Sequence, residues 1–248
     1  MPVKLDRVTN CAGKAMYLPD LPMPELNKNS MLYWFPKLDG LDIPVPRTKC
    51  VPAEVYAVRE IAEEIGWPVF LRTDLCSGKH DWDKSCFVPD ARELAMHITN
   101  VCAANERWEM LGIKYECLVV REFLNLETYF TAFVGNMPIN KERRYFVRGG
   151  EVVCWHPYWP ETAFDRHPAR QAHDPRWREL LRRMQDADTQ ADGLLNDYAL
   201  RVAKQFDGFW SVDFAKAKDG TWYLLDMALG DNSYHMPHGE EAYVETGR

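Results

Sequence analysis

The stretch GFWSVDFAKAKDGTWYLLDMALGDNS, Gly208 to Ser233, decides the fold. Asp219-Gly220 sits between two apolar-rich runs. That is a strong signal for a type I′ hairpin turn, whose two central residues need positive φ. With these two at the centre, Lys218 pairs with Thr221, and counting outward sets Asp213 opposite Asp226. Their Cβ atoms then stand roughly 5 Å apart on one face of the ribbon. Trp210, Val212 and Phe214 take the other face with Tyr223, Leu225 and Met227, and that face reads as core.

Two like charges placed directly across a ribbon repel. Three arrangements relieve the repulsion. The pair shares a proton, a cation lies between the carboxylates, or the register differs and both are solvated. Mg²⁺ suits the second arrangement, because it is held by carboxylates together with phosphate oxygens.

Working outward, PVFLRTDLCSGKHDWDKSCFV (Pro68 to Val88) reads as strand, polar loop and strand. Arg72 lies within the apolar run, where an unpaired charge is costly, so it needs a buried anion or carboxylate. Ser77, Gly78 and Lys79 offer backbone N–H groups and an ammonium, and such a loop can cover polyphosphate. The G-x-x-x-x-G-K-[ST] spacing of a P-loop is absent. His80 reads as a surface residue.

The remaining chain mixes helices with hairpins. Pro19, Pro22 and Pro24 forbid a helix near the start, MLYWF (31–35) reads as a strand, and DIPVPRTKCVP (42–52) as an extended linker. Val55, Val58, Ile61, Ala62 and Ile65 recur at helical spacing until Gly66. Residues 91–102, 175–184 and 188–206 read as helices; Arg176, Arg178, Arg182 and Arg183 form a solvated face. CLVVREFL (117–124) and TYFTAFV (128–134) read as strands, and RRYFVRGGEVVCW (143–155) as a hairpin turning at Gly149-Gly150. In that hairpin Arg144 and Arg148 share one face and Arg143 takes the other. The segment WHPYWPETAFDRHPAR (155–170) either lines a substrate pocket through Trp155, Tyr158, Trp159 and Arg166 or is an aromatic-stapled loop. The pattern predicts an α+β fold with mainly antiparallel sheets.

The chain has 248 residues, with 30 Lys+Arg against 37 Asp+Glu, a net charge of −7. That balance argues against non-specific nucleic-acid binding, which needs a positive field. Seven cysteines without a C-x-x-C pair argue against a disulfide framework or zinc site and fit a reducing, cytoplasmic setting. The sequence begins without the apolar stretch of a signal peptide, and no run approaches the ~18 apolar residues of a membrane span. His235 and His238 are spaced i, i+3, but Pro237 lies between them, so a metal-hydrolase reading is weak.

The order of these parts resembles the ATP-grasp superfamily over roughly residues 42 to 233. It looks closest to a divergent clade in which arginine replaces the usual lysine on the first grasp strand. The resemblance implies a short Pro-rich leading segment (1–50), an N-lobe with a phosphate loop (51–116) and a C-lobe with a metal-binding hairpin (117–248). It implies ATP and Mg²⁺. Arg72 corresponds to the phosphate-binding cation, and Ser77, Gly78 and Lys79 to the loop over the phosphates. Val120, Arg121 and Glu122 correspond to the adenine-binding strand, whose backbone contacts the base, and Glu127 to the ribose-binding acid. Asp213 and Asp226 correspond to the metal carboxylates. The family usually has Glu at the second of these positions and Asn two residues later, where this chain has Ala228; Asp231 or Asn232 is the candidate replacement. Arg143, Arg144 and Arg148 are the candidates for the catalytic arginine absent beside Trp210 and Ser211, and Arg144 is carried forward.

The implied activity is a carboxylate–amine ligase that activates a carboxylate as an acylphosphate. Its partners would be small-molecule or peptide carboxylates and amines, with a protein acceptor also open. The alternative is a non-catalytic ATP-binding assembly chaperone or regulator with the same fold.

Overall fold

The computed structural model describes residues 8–9, 15–16, 27–109, 114–165, 168–186 and 189–236. Pro19, Pro22, Pro24, Arg166 and His238 lie outside the described residues. The chain divides into two compact units. The first comprises the described residues up to Pro36, Pro46–Leu124 and Val134–Met137. The second comprises Lys37–Val45, Asn125–Phe133 and the described residues from Pro138 onward.

In the first unit, β1 (Val8–Thr9) and β2 (Ala15–Met16) form a short antiparallel pair. The main sheet contains β3 (Thr48–Val51), β4 (Val69–Thr73), β5 (Phe87–Val88) and β6 (Leu118–Glu122), in the order β3-β6-β4-β5. Every neighbouring pair is antiparallel. Two helices, Val55–Ile65 and Leu94–Glu109, cover one face. Side chains alternate along a strand, so Val69 and Leu71 of β4 and Leu118 and Val120 of β6 point to the helices. There they pack with Val58, Ala62, Ile65, Leu94, Ile98 and Val101 in one apolar core. Burial of each such Val or Leu contributes about 1.5–3 kcal/mol. The same alternation sends Phe70, Arg72, Val119 and Arg121 to the opposite face.

Two sequence expectations fail here. MLYWF does not form a strand: Met31–Trp34 is the short helix α1, continued by a 3-10 turn, Phe35–Leu38. In chain order the two covering helices are then α2 (Val55–Ile65) and α3 (Leu94–Glu109). Ser30 is the reason for α1. Its Oγ accepts from Leu32 N (3.1 Å), capping the helix, and donates to Asp74 Oδ2 (2.6 Å). Asp74 is fully buried and also accepts from the Glu116 and Cys117 amides at 3.0 and 3.4 Å. The expected linker 42–52 contains β3, which pairs with β6.

The second unit is built on β9 (Glu142–Arg148), β10 (Glu151–Pro157), β11 (Phe209–Lys216) and β12 (Trp222–Leu229). They form a four-stranded antiparallel sheet, order β10-β9-β11-β12. β7 (Thr128–Ala132) and β8 (Met137–Asn140) pair separately. The segment after β10 runs through α4 (Thr162–Asp165) to α5 (Trp177–Gln185). α6 (Thr189–Gln205) packs against β9 and β10. Phe130, Phe133, Trp159, Phe164 and Trp177 form an aromatic cluster, and Trp159 Nε1 donates to Glu142 Oε1 (3.2 Å). Of the two readings of residues 155–170, the stapled loop therefore describes Trp159.

The hairpin β11–β12 differs from the simple count in two places that cancel. The turn is not a two-residue type I′ turn: Ala217 N donates to Thr221 O (2.8 Å), with Gly220 at φ +90°. Lys216 therefore pairs with Trp222, one step away from the expected partner. A β-bulge at Leu225 then restores the register, and Asp213 stands opposite Asp226. Between turn and bulge the faces are exchanged. Trp222 and Leu224 are buried with Phe214, while Tyr223 and Leu225, expected in the core, are partly exposed.

The fold is α+β with antiparallel sheets. Among the described residues no helix is long and apolar enough to cross a membrane.

Candidate functional site

In the second unit the site is a row across three strands. Asp213 on β11 has Asp226 opposite on β12 and Arg144 opposite on β9. Side chains directly across a ladder share a face, so the three are neighbours. Arg144 grips Asp213 in a two-pronged contact, Nε to Oδ1 at 2.7 Å and Nη2 to Oδ2 at 2.8 Å. The two side chains are only 12% and 10% exposed. Burial works against the Arg144 charge, but the Asp213 carboxylate outweighs it and holds the guanidinium above its ordinary range. The guanidinium also stacks over Tyr158, 4.5 Å from the ring centroid, so Tyr158 does border this row.

Neighbouring Arg143 has a different role. It points to the opposite face, lies over the rings of Trp155 and Trp222, and pairs with Asp192 of α6. That pairing satisfies a buried cation inside the core. Trp155 stacks on Tyr145 on the same side, away from the aspartates. Arg148 stacks on Phe209 at 4.2 Å. Of the three candidate arginines, Arg144 is the one whose described contacts reach Asp213.

The chain after β12 returns to this row, touching Arg144 through Tyr234 O. Gly230 packs so tightly on Phe209 that an added Cβ would lie 2.5 Å from Cε1 of the ring, and a 3-10 turn follows, Gly230–Asn232. The turn leaves Asp231 exposed. Among the described residues no group of three or more His, Cys, Asp or Glu side chains is gathered to hold a metal. Asp231 is thus not gathered with Asp213 and Asp226 among the described residues. Farther on, Ser233 Oγ lies 2.6 Å from Ser211 Oγ, and Tyr234 O accepts from Arg144 Nη1 at 3.2 Å.

His156 stands opposite Arg144 on β10, a place the sequence does not reveal. Its Nδ1 donates to Pro157 O (2.7 Å), which leaves Nε2 to accept from Met236 N (3.3 Å). Burial, ahead of the nearby Arg144 charge, lowers its pKa. The regular count from Gly149-Gly150 pairs Arg144 with Trp155. A bulge at Val153 moves His156 into that place.

Asp226 is half-buried, and its Oδ1 accepts from Met227 N at 3.1 Å. Two adjacent carboxylates, with Ala228 two residues on, are oxygen donors that fit Mg²⁺ provided other oxygens complete the shell. They do not make an all-protein cage.

In the first unit, Arg72 is buried on the sheet face opposite the helices, and its Nε donates to Thr73 O (3.0 Å). Arg121 shares that face and donates from Nε to Thr48 Oγ1 (3.0 Å). After β4 the chain passes Ser77, turns at Gly78 (φ +60°) and forms a 3-10 segment, Lys79–Lys84. Burial pushes the Cys86 thiol up to about 12, against the opposing influence of Ser85, Lys79 and Arg72.

Val120 and Arg121 lie inside the sheet. β6 is a central strand: Val120 pairs with Lys49 and Leu71, and Arg121 with Thr48 and Phe70. A strand paired on both sides has its backbone groups committed to the ladder. The ladder ends at Glu122, whose amide donates to Arg47 O (2.8 Å) and whose side chain pairs with Arg47.

Glu127 belongs to the second unit. It accepts from Tyr129 Oη at 2.6 Å, and Lys216 Nζ lies 3.8 Å away. Burial, with the Glu127 contact second, pushes the Tyr129 phenol up to about 12.

A family model described as an ATP-grasp domain, R-2-K clade family 3, matches residues 64–236. Among curated proteins no sequence matches this chain. Among solved structures, the biotin carboxylase domain of the 2-oxoglutarate carboxylase from Hydrogenobacter thermophilus is similar at a TM-score of 0.54 and 13% identity. The match covers 82% of this chain and 40% of that one. The ATP-grasp ligase PsnB, complexed with a minimal precursor, gives 0.47 and 17% over 82% and 52%. A RimK domain ATP-grasp protein from Sphaerobacter thermophilus gives 0.47 and 15% over 83% and 59%. The chain thus spans about half the length of these solved structures. At these identities the likeness speaks to the fold alone.

Proposed function

The chain belongs to family 3 of the R-2-K clade of ATP-grasp domains, and on that footing we propose that it is an ATP- and Mg²⁺-dependent ligase of the carboxylate–amine type. The observation that carries the reading is the cross-strand pair Asp213–Asp226 with Arg144 beside it. Arg144 balances one charge of the pair, and a bound cation would relieve the repulsion that the second charge leaves.

In this reading Asp213 and Asp226 hold the ion. Bound Mg²⁺ supplies neutralisation of the phosphate charge. Arg72, Ser77, Gly78 and Lys79 bind the phosphates, through two cationic side chains and the backbone N–H groups of the loop. Glu127 accepts from the ribose hydroxyls, with Tyr129 fixing its orientation. Backbone contact with the adenine is assigned to the end of the β6 ladder at Glu122 and the residues that follow it to Leu124. Arg144 stabilises negative charge on the transferring phosphoryl group.

The substrate carboxylate attacks the γ-phosphorus of ATP, and ADP leaves. The acylphosphate then loses inorganic phosphate to an attacking amine, whose proton is released. The acceptor is a small molecule, a peptide or a protein terminus, and the setting is cytoplasmic.

Ala228, in place of the usual Asn, favours a second reading, a non-catalytic ATP-binding assembly chaperone or regulator. Phosphate release with Mg·ATP, with and without a panel of amino acids and short peptides, separates the two. A ligase turns over only with its acceptor, and Asp213→Asn abolishes that turnover. An Asp213→Asn variant of unchanged activity would refute the assignment. Tight ADP binding with no turnover on any acceptor, together with capture of one protein partner, favours the second reading.

A further inference from the structure

The Lys79–Lys84 segment is not an open flap. Ser85 N donates to Asp81 O (2.8 Å), Asp81 N donates to Gly78 O (3.2 Å), and the Ser85 hydroxyl lies within 2.7 Å of both those carbonyls. The Trp82 side chain is wedged among Phe70, Phe87 and Phe123. It stacks on Phe87 at 5.9 Å and an interplanar angle of 6°.

The four residues Val134–Met137, which belong to the same unit, close on this segment from outside. Asp83 N donates to Gly135 O (3.0 Å), and Asn136 Nδ2 donates to Asp83 Oδ2 (2.6 Å). The backbones meet so closely that a Cβ on Gly135 would lie 2.6 Å from the Asp81 carbonyl carbon. Only glycine admits that approach. Asn136 has φ +55°, a left-handed conformation that asparagine tolerates better than most residues.

We propose that the turn Val134–Met137 is a clamp that fixes the phosphate loop, with Gly135 and Asn136 acting as positioning residues for ATP. The proposal rests on the reading of Ser77–Lys79 as the phosphate-binding loop. Residues 81–83 are held by the Trp82 ring among its aromatic neighbours and by the bonds to the turn. Lys79 thus leaves Gly78 from a fixed base. A loop already ordered does not have to be ordered by its ligand, and preorganisation of this kind appears as affinity. The turn joins β7 to β8, and β7 begins one residue after Glu127. One stretch of chain therefore carries both the proposed ribose acid and the clamp.

The test uses the full chain, with amide hydrogen exchange over residues 78–85 and the Kd of MgADP by titration calorimetry. Gly135→Ala should speed exchange and weaken MgADP by about tenfold, the scale expected when ordering a loop is charged to binding. Asn136→Asp sets a carboxylate against Asp83 and should weaken MgADP about threefold, with the melting temperature unchanged. Adding Asp83→Asn to Asn136→Asp exchanges the partners and should restore both readouts, which assigns the loss to this pair. If Gly135→Ala fails to fold, the Asn136 pair decides alone. Unchanged exchange in the single variants overturns the clamp. So does faster exchange with MgADP affinity intact. Lys79→Ala separates the layers. If it weakens MgADP while the Gly135 and Asn136 variants do not, only the clamp is wrong. If it too is silent, the phosphate-loop reading is wrong.

Discussion

Arg144 holds Asp213 with two hydrogen bonds of 2.7 and 2.8 Å, and Asp226 faces the same carboxylate from the next strand. The buried cation balances one negative charge of the pair. Under the proposed function it would also compete with the metal for the Asp213 oxygens.

That competition gives the first prediction. Arg144→Ala removes the rival and leaves two adjacent carboxylates without that counter-charge. Loss of one partner from a largely buried ion pair costs about 3 kcal/mol. The variant should therefore melt lower than the wild type, and millimolar MgCl₂ without nucleotide should raise its melting temperature more than it raises that of the wild type. Equal Mg²⁺ responses in the two proteins would contradict the shared-oxygen account. Arg144→Lys keeps the charge but loses the fork, and should fall between them in stability.

A second prediction concerns pH. Burial, ahead of the Arg144 and His235 charges, lowers the His156 pKa. The unfolded chain, with an ordinary histidine near 6.5, binds the proton more readily than the folded one. Stability from this group is then fully present above about pH 6.5 and is lost as the pH falls from there toward the folded value. Protonation also places N–H against N–H at Nε2, where Met236 N now donates. Urea unfolding at pH 7.5 and 5.5 should show a smaller pH-dependent loss in His156→Gln than in the wild type. A matching loss in both would remove His156 from the explanation.

A third prediction lies far from the aspartates in sequence. Asp74 accepts from Ser30 Oγ and from two backbone amides, and it holds α1 onto the end of β4. Asp74→Ala strands these donors in a buried place and should cost about 3 kcal/mol, read as a lower urea midpoint. Ser30→Ala loses the helix cap and one bond to Asp74, and should cost about 1–2 kcal/mol. If Asp74→Ala is as stable as the wild type, the latch has no energetic role.

A fourth prediction tests the turn. Gly220 has φ +90° with open space around it, so Gly220→Ala meets no clash and suffers only backbone strain. Its cost should be about 1 kcal/mol by urea denaturation, with the β11–β12 pairing retained. A loss several times larger would mean that the turn geometry described is wrong.

The legible parts of the fold are those with strong local periods. The helix at 55–65 follows from its helical spacing, the strands at 69–73 and 118–122 from short apolar runs, and both hairpins from turn glycines. The facing of Asp213 and Asp226 follows from a count that contains two compensating errors, since neither the longer turn nor the Leu225 bulge leaves a mark in composition. The same blindness hides His156, which only the Val153 bulge aligns with Arg144. α1 escapes a local reading because its capping serine is tied to Asp74, 44 residues away. The commitment of Val120 and Arg121 to two neighbours depends on strand order, which one sequence does not display.

The Leu225 bulge has a consequence for how this chain can vary in length. One residue gained or lost in the 217–221 connection, uncompensated, would turn Asp226 toward the tryptophan side and bring an apolar neighbour into its place. A second change of one residue at the bulge would reverse the damage. Length variants of this ribbon that keep the acid pair should therefore carry their insertions and deletions in matched couples, one at the tip and one beside Asp226.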